Sequence, residues 1–125
     1  MNLNEWAKAI HENAEAHGFW DEPYNFGNIV ALCHSELSEA LEEDRAGNRI
    51  RAGQPTPMLY YSGGGYVATD ETACCKKPEG VAVEMIDCMI RILDWCGRMG
   101  VDVEHVMQIK HEYNKTRPYK HGKKY

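Results

Sequence analysis

Carboxylate side chains recur at a three-residue spacing in two separate segments of the chain. Glu36 and Glu39 lie in the segment SELSEALEE, and Glu84 and Asp87 lie in the segment VAVEMIDCMIRILDWC. Residues three apart share one face of an α-helix, so each pair places two carboxylates side by side. Such carboxylates raise each other's pKa unless a cation lies between them. Ligand sets made only of oxygen suit hard divalent ions, so the two pairs predict a site for Mg²⁺ or Mn²⁺.

The segment around Glu84 is apolar on almost every side, which is typical of a buried helix. Its charged residues fall within an arc of about 80° on a helix; they are Glu84, Asp87, Arg91 and Asp94. The segment around Glu36 carries a comparable stripe of Asn28, Leu32, Glu36, Glu39 and Glu43. A solvated surface is the ordinary explanation for the second stripe. Solvating the first stripe would leave little room for a bundle to cover its helix, which favours an internal site.

Other metal chemistry fits the sequence less well. A di-iron bundle needs Glu-x-x-His pairs, whereas Glu39 and Asp87 occupy the fourth positions here. The segment HENAE has Glu15 where a zinc protease motif needs its second histidine, which indicates a polar helix face. His34 points about 160° away from the acidic stripe, so it receives no catalytic role. Cys74 and the adjacent cysteine have no second CxxC pair, which disfavours zinc.

Helical spacing of apolar residues predicts an all-α fold, a four-helix bundle with one long loop. The predicted helices cover residues 2–17, 25–46, about 80–99 and about 103–116. Gly18, Gly47 and Gly100 are expected to end the first three, and Asp102 to cap the fourth. Residues 47–78 are rich in glycine and proline and predict a lid or an insertion. A hairpin with MLYY and GYVAT as strands is an alternative there, and residues 117–125 form a basic tail.

Length and composition narrow the class of protein. A chain of 125 residues is expected to form a single domain over residues 1–125. The net charge of −5 argues against a nucleic-acid polymer as partner. The sequence predicts no membrane span, because it lacks a continuous apolar run as long as the hydrocarbon core requires. The five cysteines indicate reduced thiols in a cytoplasmic protein. Cys33, Cys88 and Cys96 have apolar helical neighbours and are expected in the core.

Together, SELSEALEE and EGVAVEMIDCMIRILD resemble the signature of the MazG-like all-α nucleoside triphosphate pyrophosphohydrolases. The resemblance covers residues 19–46 and 78–125, and residues 1–18 loosely. It implies that magnesium is bound by a catalytic set of four carboxylates, Glu36, Glu39, Glu84 and Asp87. It also implies hydrolysis of ribo- or deoxyribonucleoside triphosphates to the monophosphate and pyrophosphate, in nucleotide-pool cleansing.

The same resemblance suggests residues for substrate binding. Lys110 and Asn114, in the closing segment KHEYNKTRPYKHGKKY, are expected to approach the phosphates, and Asn28 matches an asparagine of related pyrophosphatases. Independently of the resemblance, Arg117 and Lys120 are looser candidates for the phosphates, because terminal basic residues are more often solvated than bound. Trp20 is a candidate for stacking on the base, whereas Trp6 and Trp95 are expected to pack in the core. Ser35 stands where many relatives have another glutamate; Glu43, on the same stripe, is an alternative there, although a surface role is favoured for it.

The third predicted helix is apolar on too many sides for a monomer, which predicts a homodimer or a homotetramer that completes the bundle. Two alternatives to this activity stay open. One is a non-catalytic nucleotide-binding or metal-binding module with regulatory or interaction roles. The other is hydrolysis of a different phosphoanhydride, because the residues alone do not distinguish attack at the α-phosphorus from attack at the γ-phosphorus.

Overall fold

Four α-helices lie where the apolar spacing predicts them. The computed structural model describes residues 1–47, 59–61, 64–67 and 77–124. Its helices are α1 (Leu3–Ala16), α2 (Phe26–Arg45), α3 (Val81–Met99) and α4 (Val103–Lys115). The predicted bounds are confirmed to within about two residues, which is the usual uncertainty of helix ends.

Local capping explains where these helices begin and end. The Asn2 side chain accepts the Glu5 amide and the Glu5 side chain accepts the Asn2 amide, so α1 begins with a capping box. Asn25 and Asp102 cap α2 and α4 through their side chains. Gly100 follows α3 with a φ of 70°. This left-handed conformation costs glycine little, and the predicted stop and cap signals are confirmed.

Three short strands accompany the helices. Strands β1 (Leu59–Tyr61) and β2 (Gly64–Val67) pair in antiparallel fashion, and β3 (Pro78–Glu79) pairs with the other edge of β1. The hairpin alternative is therefore confirmed, and the all-α prediction holds for the four helices but omitted this small sheet. Most of the rest of the predicted long loop, including Cys74, lies outside the described residues, so its role as a lid stays a prediction.

The chain divides into two compact units. Unit 1 comprises Met1–Glu22 and Leu93–Tyr125, and unit 2 comprises Pro23–Ile92. Helix α3 therefore contributes its first part, up to Ile92, to unit 2 and its last two turns to unit 1. Among the described helices, none has the length and apolar character that crossing a membrane requires.

The core of unit 1 forms between α1 and the end of α3. Ala7, Leu93 and Cys96 are buried together. Gly97 lies at the helix contact, where an added Cβ would come within 2.5 Å of the Ala7 carbonyl oxygen and 2.7 Å of His11 Cβ. Only a residue without a side chain allows the two backbones this approach.

Hydrogen bonds also join the N-terminal end of α1 to that of α4. Asn4 donates from Nδ2 to Asp102 Oδ1 at 2.9 Å and accepts the Val103 amide at 2.7 Å. The Leu3 amide donates to Glu104 at 2.8 Å.

The two tryptophans predicted to lie in the core differ in their outcome. Trp95 packs against the core, whereas Trp6 is 49% exposed, so the prediction for Trp6 is wrong.

Helix α3 exposes apolar side chains and buries charged ones. Glu84 is only 8% exposed, and Asp87 and Arg91 are half-buried. The exposed apolar residues of the same helix are Met85, Ile86, Met89, Ile90 and Ile92. Glu84, Asp87 and Arg91 therefore face the interior of unit 2 rather than forming a solvated surface, whereas Asp94, the last residue of the stripe, belongs to unit 1.

Candidate metal centre

Three carboxylates from two helices converge in unit 2. One carboxylate oxygen from each of Glu36, Glu39 and Glu84 lies within 4.8 Å of the others. Glu36 is 6% exposed and Glu84 is 8% exposed, whereas Glu39 is exposed. The cluster thus has two interior members and one that faces solvent. The structure brings together three of the four residues that the sequence pairs predict, and Asp87 lies beside this group rather than in it.

The electrostatics of the cluster match carboxylates that share one small space. Burial, the charge of Asp87 and a hydrogen bond with Glu39 together raise the pKa of Glu84 to about 7. The pKa of Asp87 is also raised, chiefly by burial and then by the charge of Glu36. These shifts mean that the cluster holds a proton near neutral pH unless another cation replaces it.

Arg91 supplies a positive charge to the cluster. Its Nε donates to Oε1 of Glu36 at 2.6 Å, in an ion pair between α3 and α2. Burial alone would raise the pKa of Glu36, but hydrogen bonds from Arg91 and with Glu39 lower it overall. The charge of Lys77 likewise lowers the pKa of Asp87, although burial keeps that pKa raised overall. Neither cation is predicted from the sequence to act at the site. Arg91 could have been found there, because it lies on the same helical stripe as Glu84.

The donor set fits a hard divalent cation. Oxygens on opposite sides of an ion lie about 4 Å apart for Mg²⁺ and about 5 Å apart for Ca²⁺, twice the usual ligand distance. The three oxygens all lie within 4.8 Å of one another, so they reach the Ca²⁺ span and must move closer together to hold Mg²⁺. Glu36, Glu39 and Glu84 could therefore hold such an ion after small side-chain adjustments.

The candidate phosphate ligands lie in unit 1, on α4 and just after it. The Lys110 ammonium lies 5.0 Å from the centre of the Tyr113 ring, and the Arg117 guanidinium lies 5.8 Å from it. Each is a cation–π contact. Asn114 Oδ1 is buried and accepts no hydrogen bond within the described part of the chain. Buried acceptors are rarely left unpaired, so this oxygen is a candidate acceptor for a bound group.

Trp20 also lies in unit 1, where its indole belongs to a polar network. Its Nε1 donates to both carboxylate oxygens of Asp94, at 2.9 Å and 3.0 Å, and the Arg98 guanidinium lies 5.3 Å from its ring centre. The indole N–H is therefore already hydrogen-bonded to Asp94, and the ring already has a cation beside it.

Asn28 lies in the first turn of α2 in unit 2, where its amide donates to the Asn25 side chain and its own side chain is exposed.

Comparison of the chain with protein-family models, with curated proteins and with solved structures gave no match.

Proposed function

We propose that this chain hydrolyses nucleoside triphosphates to the monophosphate and pyrophosphate in a metal-dependent reaction. The observation that carries the proposal is the convergence of Glu36, Glu39 and Glu84 within 4.8 Å, with two of the three carboxylates buried. Buried carboxylates in close contact are unfavourable unless a cation compensates them. The sequence resemblance to the MazG-like enzymes supplies the reaction.

In this proposal Glu36, Glu39 and Glu84 hold Mg²⁺ or Mn²⁺, and Asp87 acts beside them. A divalent ion bound there supplies Lewis-acid activation of water and neutralises charge on the transferring phosphorus. Water attacks the α-phosphorus, the bond from that phosphorus to the bridging oxygen breaks, and pyrophosphate leaves. From the resemblance, we propose phosphate contacts for Lys110 and Asn114. Arg117 is a further candidate because of its charge, and Trp20 is a candidate for stacking on the base.

We also propose that the chain acts as a homodimer or homotetramer. The support is the exposed apolar face of α3, where Met85, Ile86 and Met89 are each nearly half exposed. Large apolar side chains clustered on one exposed face mark interaction surfaces, and self-association would cover this one.

The test is an assay with a panel of ribo- and deoxyribonucleoside triphosphates and Mg²⁺, in which pyrophosphate is separated from orthophosphate. In ¹⁸O-labelled water, attack at the α-phosphorus places the label in the monophosphate. Glu36→Gln and Asp87→Asn are expected to lose turnover, whereas Glu42→Gln, an exposed acid on the same helix that pairs with Arg45, keeps it. Turnover that is absent, or unchanged in the first two variants, would refute the proposal. Orthophosphate as the direct product would leave the metal site but overturn the reaction.

The Glu36–Arg91 ion pair favours one other candidate function. An arginine that satisfies a buried carboxylate is also expected in a non-catalytic nucleotide- or metal-binding module, where the cluster is an internal polar network. Nucleotide binding by the wild-type chain without turnover of any triphosphate in the panel would select this function.

A further inference from the structure

The two partners of the Glu36–Arg91 ion pair differ in their access to solvent. The Glu36 side chain is 8% exposed, whereas the Arg91 side chain is 37% exposed. The Glu36 side chain is thus buried inside unit 2, whereas the Arg91 side chain is partly open to solvent. A long arginine side chain in this position can leave its partner without unfolding the helix that carries it.

The charge of Arg91 has a clear function in the absence of a metal ion. Glu36 is buried beside Glu39 and Glu84. A buried carboxylate without a partner is strongly destabilising. The Nε–Oε1 bond of 2.6 Å gives Glu36 a charge-assisted hydrogen bond that offsets this cost. Arg91 also acts electrostatically on Asp87, one turn earlier on α3.

A divalent ion held by Glu36 would compete with this arrangement. Glu36 belongs both to the set of clustered oxygens and to the ion pair with Arg91. A doubly charged cation among the three carboxylates repels a guanidinium that is already in contact with one of them. Arg91 and the ion therefore oppose each other's binding to Glu36.

We propose that Arg91 takes the place of the metal in the metal-free protein and exchanges partners when a divalent ion binds. Its guanidinium leaves Glu36 and then binds a phosphate oxygen of the incoming triphosphate. This inference rests on the proposed metal-dependent function and adds a residue to it. Arginine suits the second step because its planar donors match phosphate oxygens in pairs.

The first measurement is the affinity for Mn²⁺, obtained by electron paramagnetic resonance of the free ion and therefore independent of turnover. Arg91→Gln removes the competing charge and is expected to bind Mn²⁺ about 10-fold more tightly than the wild-type chain. Arg45→Gln removes the same charge from an exposed pair with Glu42 on α2, and it is expected to leave the affinity unchanged.

The second measurement is the affinity for inorganic triphosphate at saturating Mg²⁺, by isothermal titration calorimetry. Arg91→Gln is expected to bind triphosphate about 10-fold more weakly, because it loses a charged phosphate ligand. Arg45→Gln again serves as the control. Opposite changes in the two affinities from one substitution distinguish exchange of partners from a general loss of structure.

A second variant covers the case in which Arg91→Gln does not fold, as judged by its far-ultraviolet circular dichroism. Arg91→Lys keeps the charge but loses the planar donors, so it is expected to shift both affinities in the same directions by smaller factors. Unchanged or weaker Mn²⁺ binding in the folded Arg91 variants overturns the exchange and leaves the proposed function standing. A wild-type chain that binds no Mn²⁺ overturns both.

Discussion

The imidazole of His11 lies against Asp94, with Nδ1 2.8 Å from Oδ1 of the carboxylate. His11 is buried, its Nε2 lies 2.6 Å from Glu15, and the Trp20 ring meets its ring edge-on with centres 5.2 Å apart. Asp94 also accepts the Trp20 indole N–H, so one carboxylate ties α1 and the segment after it to the end of α3. The last member of the charged stripe on α3 is therefore structural.

Replacement of Asp94 by alanine is expected to lower the free energy of unfolding by about 2–4 kcal/mol, because His11 and Trp20 both lose a buried hydrogen-bond partner. Urea denaturation followed by circular dichroism measures this change. The control is Glu12→Ala, which removes an exposed acid that lies 4.0 Å from Lys8. It is expected to change stability far less, because exposed ion pairs contribute little. Equal losses in the two variants would contradict a structural role for Asp94.

Stability without metal is expected to fall as the pH rises from the ordinary glutamate pKa to the raised pKa of Glu84. The folded chain keeps the Glu84 proton up to a pKa of about 7, whereas the unfolded chain loses it near the ordinary value of 4.5. The folded state therefore binds more protons in this window, and the free energy of unfolding decreases with pH, by about 2–3 kcal/mol in all. Denaturation in EDTA at several pH values measures the slope.

Glu84→Gln carries no titrating proton at this position and is expected to flatten that slope. Above the pKa of Glu84, Mg²⁺ is expected to stabilise the wild-type chain by binding the folded state, and to stabilise this variant much less. An equal slope in the wild-type chain and in Glu84→Gln would show that Glu84 does not hold this proton in the folded protein.

The positions of the carboxylates predict unequal effects on metal affinity. Glu39 supplies one of the three clustered oxygens, whereas Asp87 lies beside the cluster. Glu39→Gln is therefore expected to weaken Mn²⁺ binding by about 100-fold, and Asp87→Asn by about 10-fold. Titration with Mn²⁺ measures both, with Glu42→Gln as the control. Equal losses would favour the set of four direct ligands that the sequence resemblance implies.

Gly97→Ala is expected to destabilise the chain by about 2 kcal/mol, although alanine ordinarily favours a helix. The added methyl group would meet the Ala7 carbonyl oxygen and His11 Cβ. Gly100→Ala is a matched comparison, because nothing lies within 4 Å of its added methyl group. Gly100→Ala is expected to lower the free energy of unfolding by about 1 kcal/mol, because only the left-handed backbone at this position disfavours alanine. Thermal unfolding ranks the two; a more stable Gly97→Ala variant would mean that the helices separate easily.

If the chain forms the proposed homodimer or homotetramer through the exposed face of α3, Ile86→Lys is expected to dissociate it. Ile86 is an exposed apolar residue of this face. A lysine there would place an unpaired charge in any interface that the face forms. Size-exclusion chromatography with light scattering measures the mass, and Ala9→Lys, at an exposed position on α1, is expected to leave it unchanged. A wild-type chain with the mass of one copy would contradict the predicted oligomer.

The helices could be predicted from the sequence because apolar spacing and capping residues act locally. Gly18 and Gly100 end helices, and Asp102 begins one, whatever packs around them. Glu84 was also predictable, since a charge on a nearly apolar helix needs a partner inside the protein.

The pairing of side chains between different helices could not be predicted from the sequence. Arg91 shares the stripe of Glu84, but its partner Glu36 is on another helix, and the sequence contains no statement of which helix faces meet. His11 was assigned to a polar face because its neighbours in sequence are polar, whereas its burial depends on the contact of α1 with α3 at Gly97. Trp6 is predicted to pack in the core and is nevertheless exposed.

Cys96, in the core of unit 1, makes the contact between α1 and α3 open to kinetic measurement. It is a free thiol, buried in that core, and burial raises its pKa. A cysteine thiolate attacks an alkylating reagent only where the reagent can reach it, so Cys96 reacts only while the surrounding core is transiently open. The rate of alkylation at Cys96, followed by peptide mass spectrometry, thus reports local opening of this core. It would show how Asp94 and Gly97 variants change that opening, without an added probe.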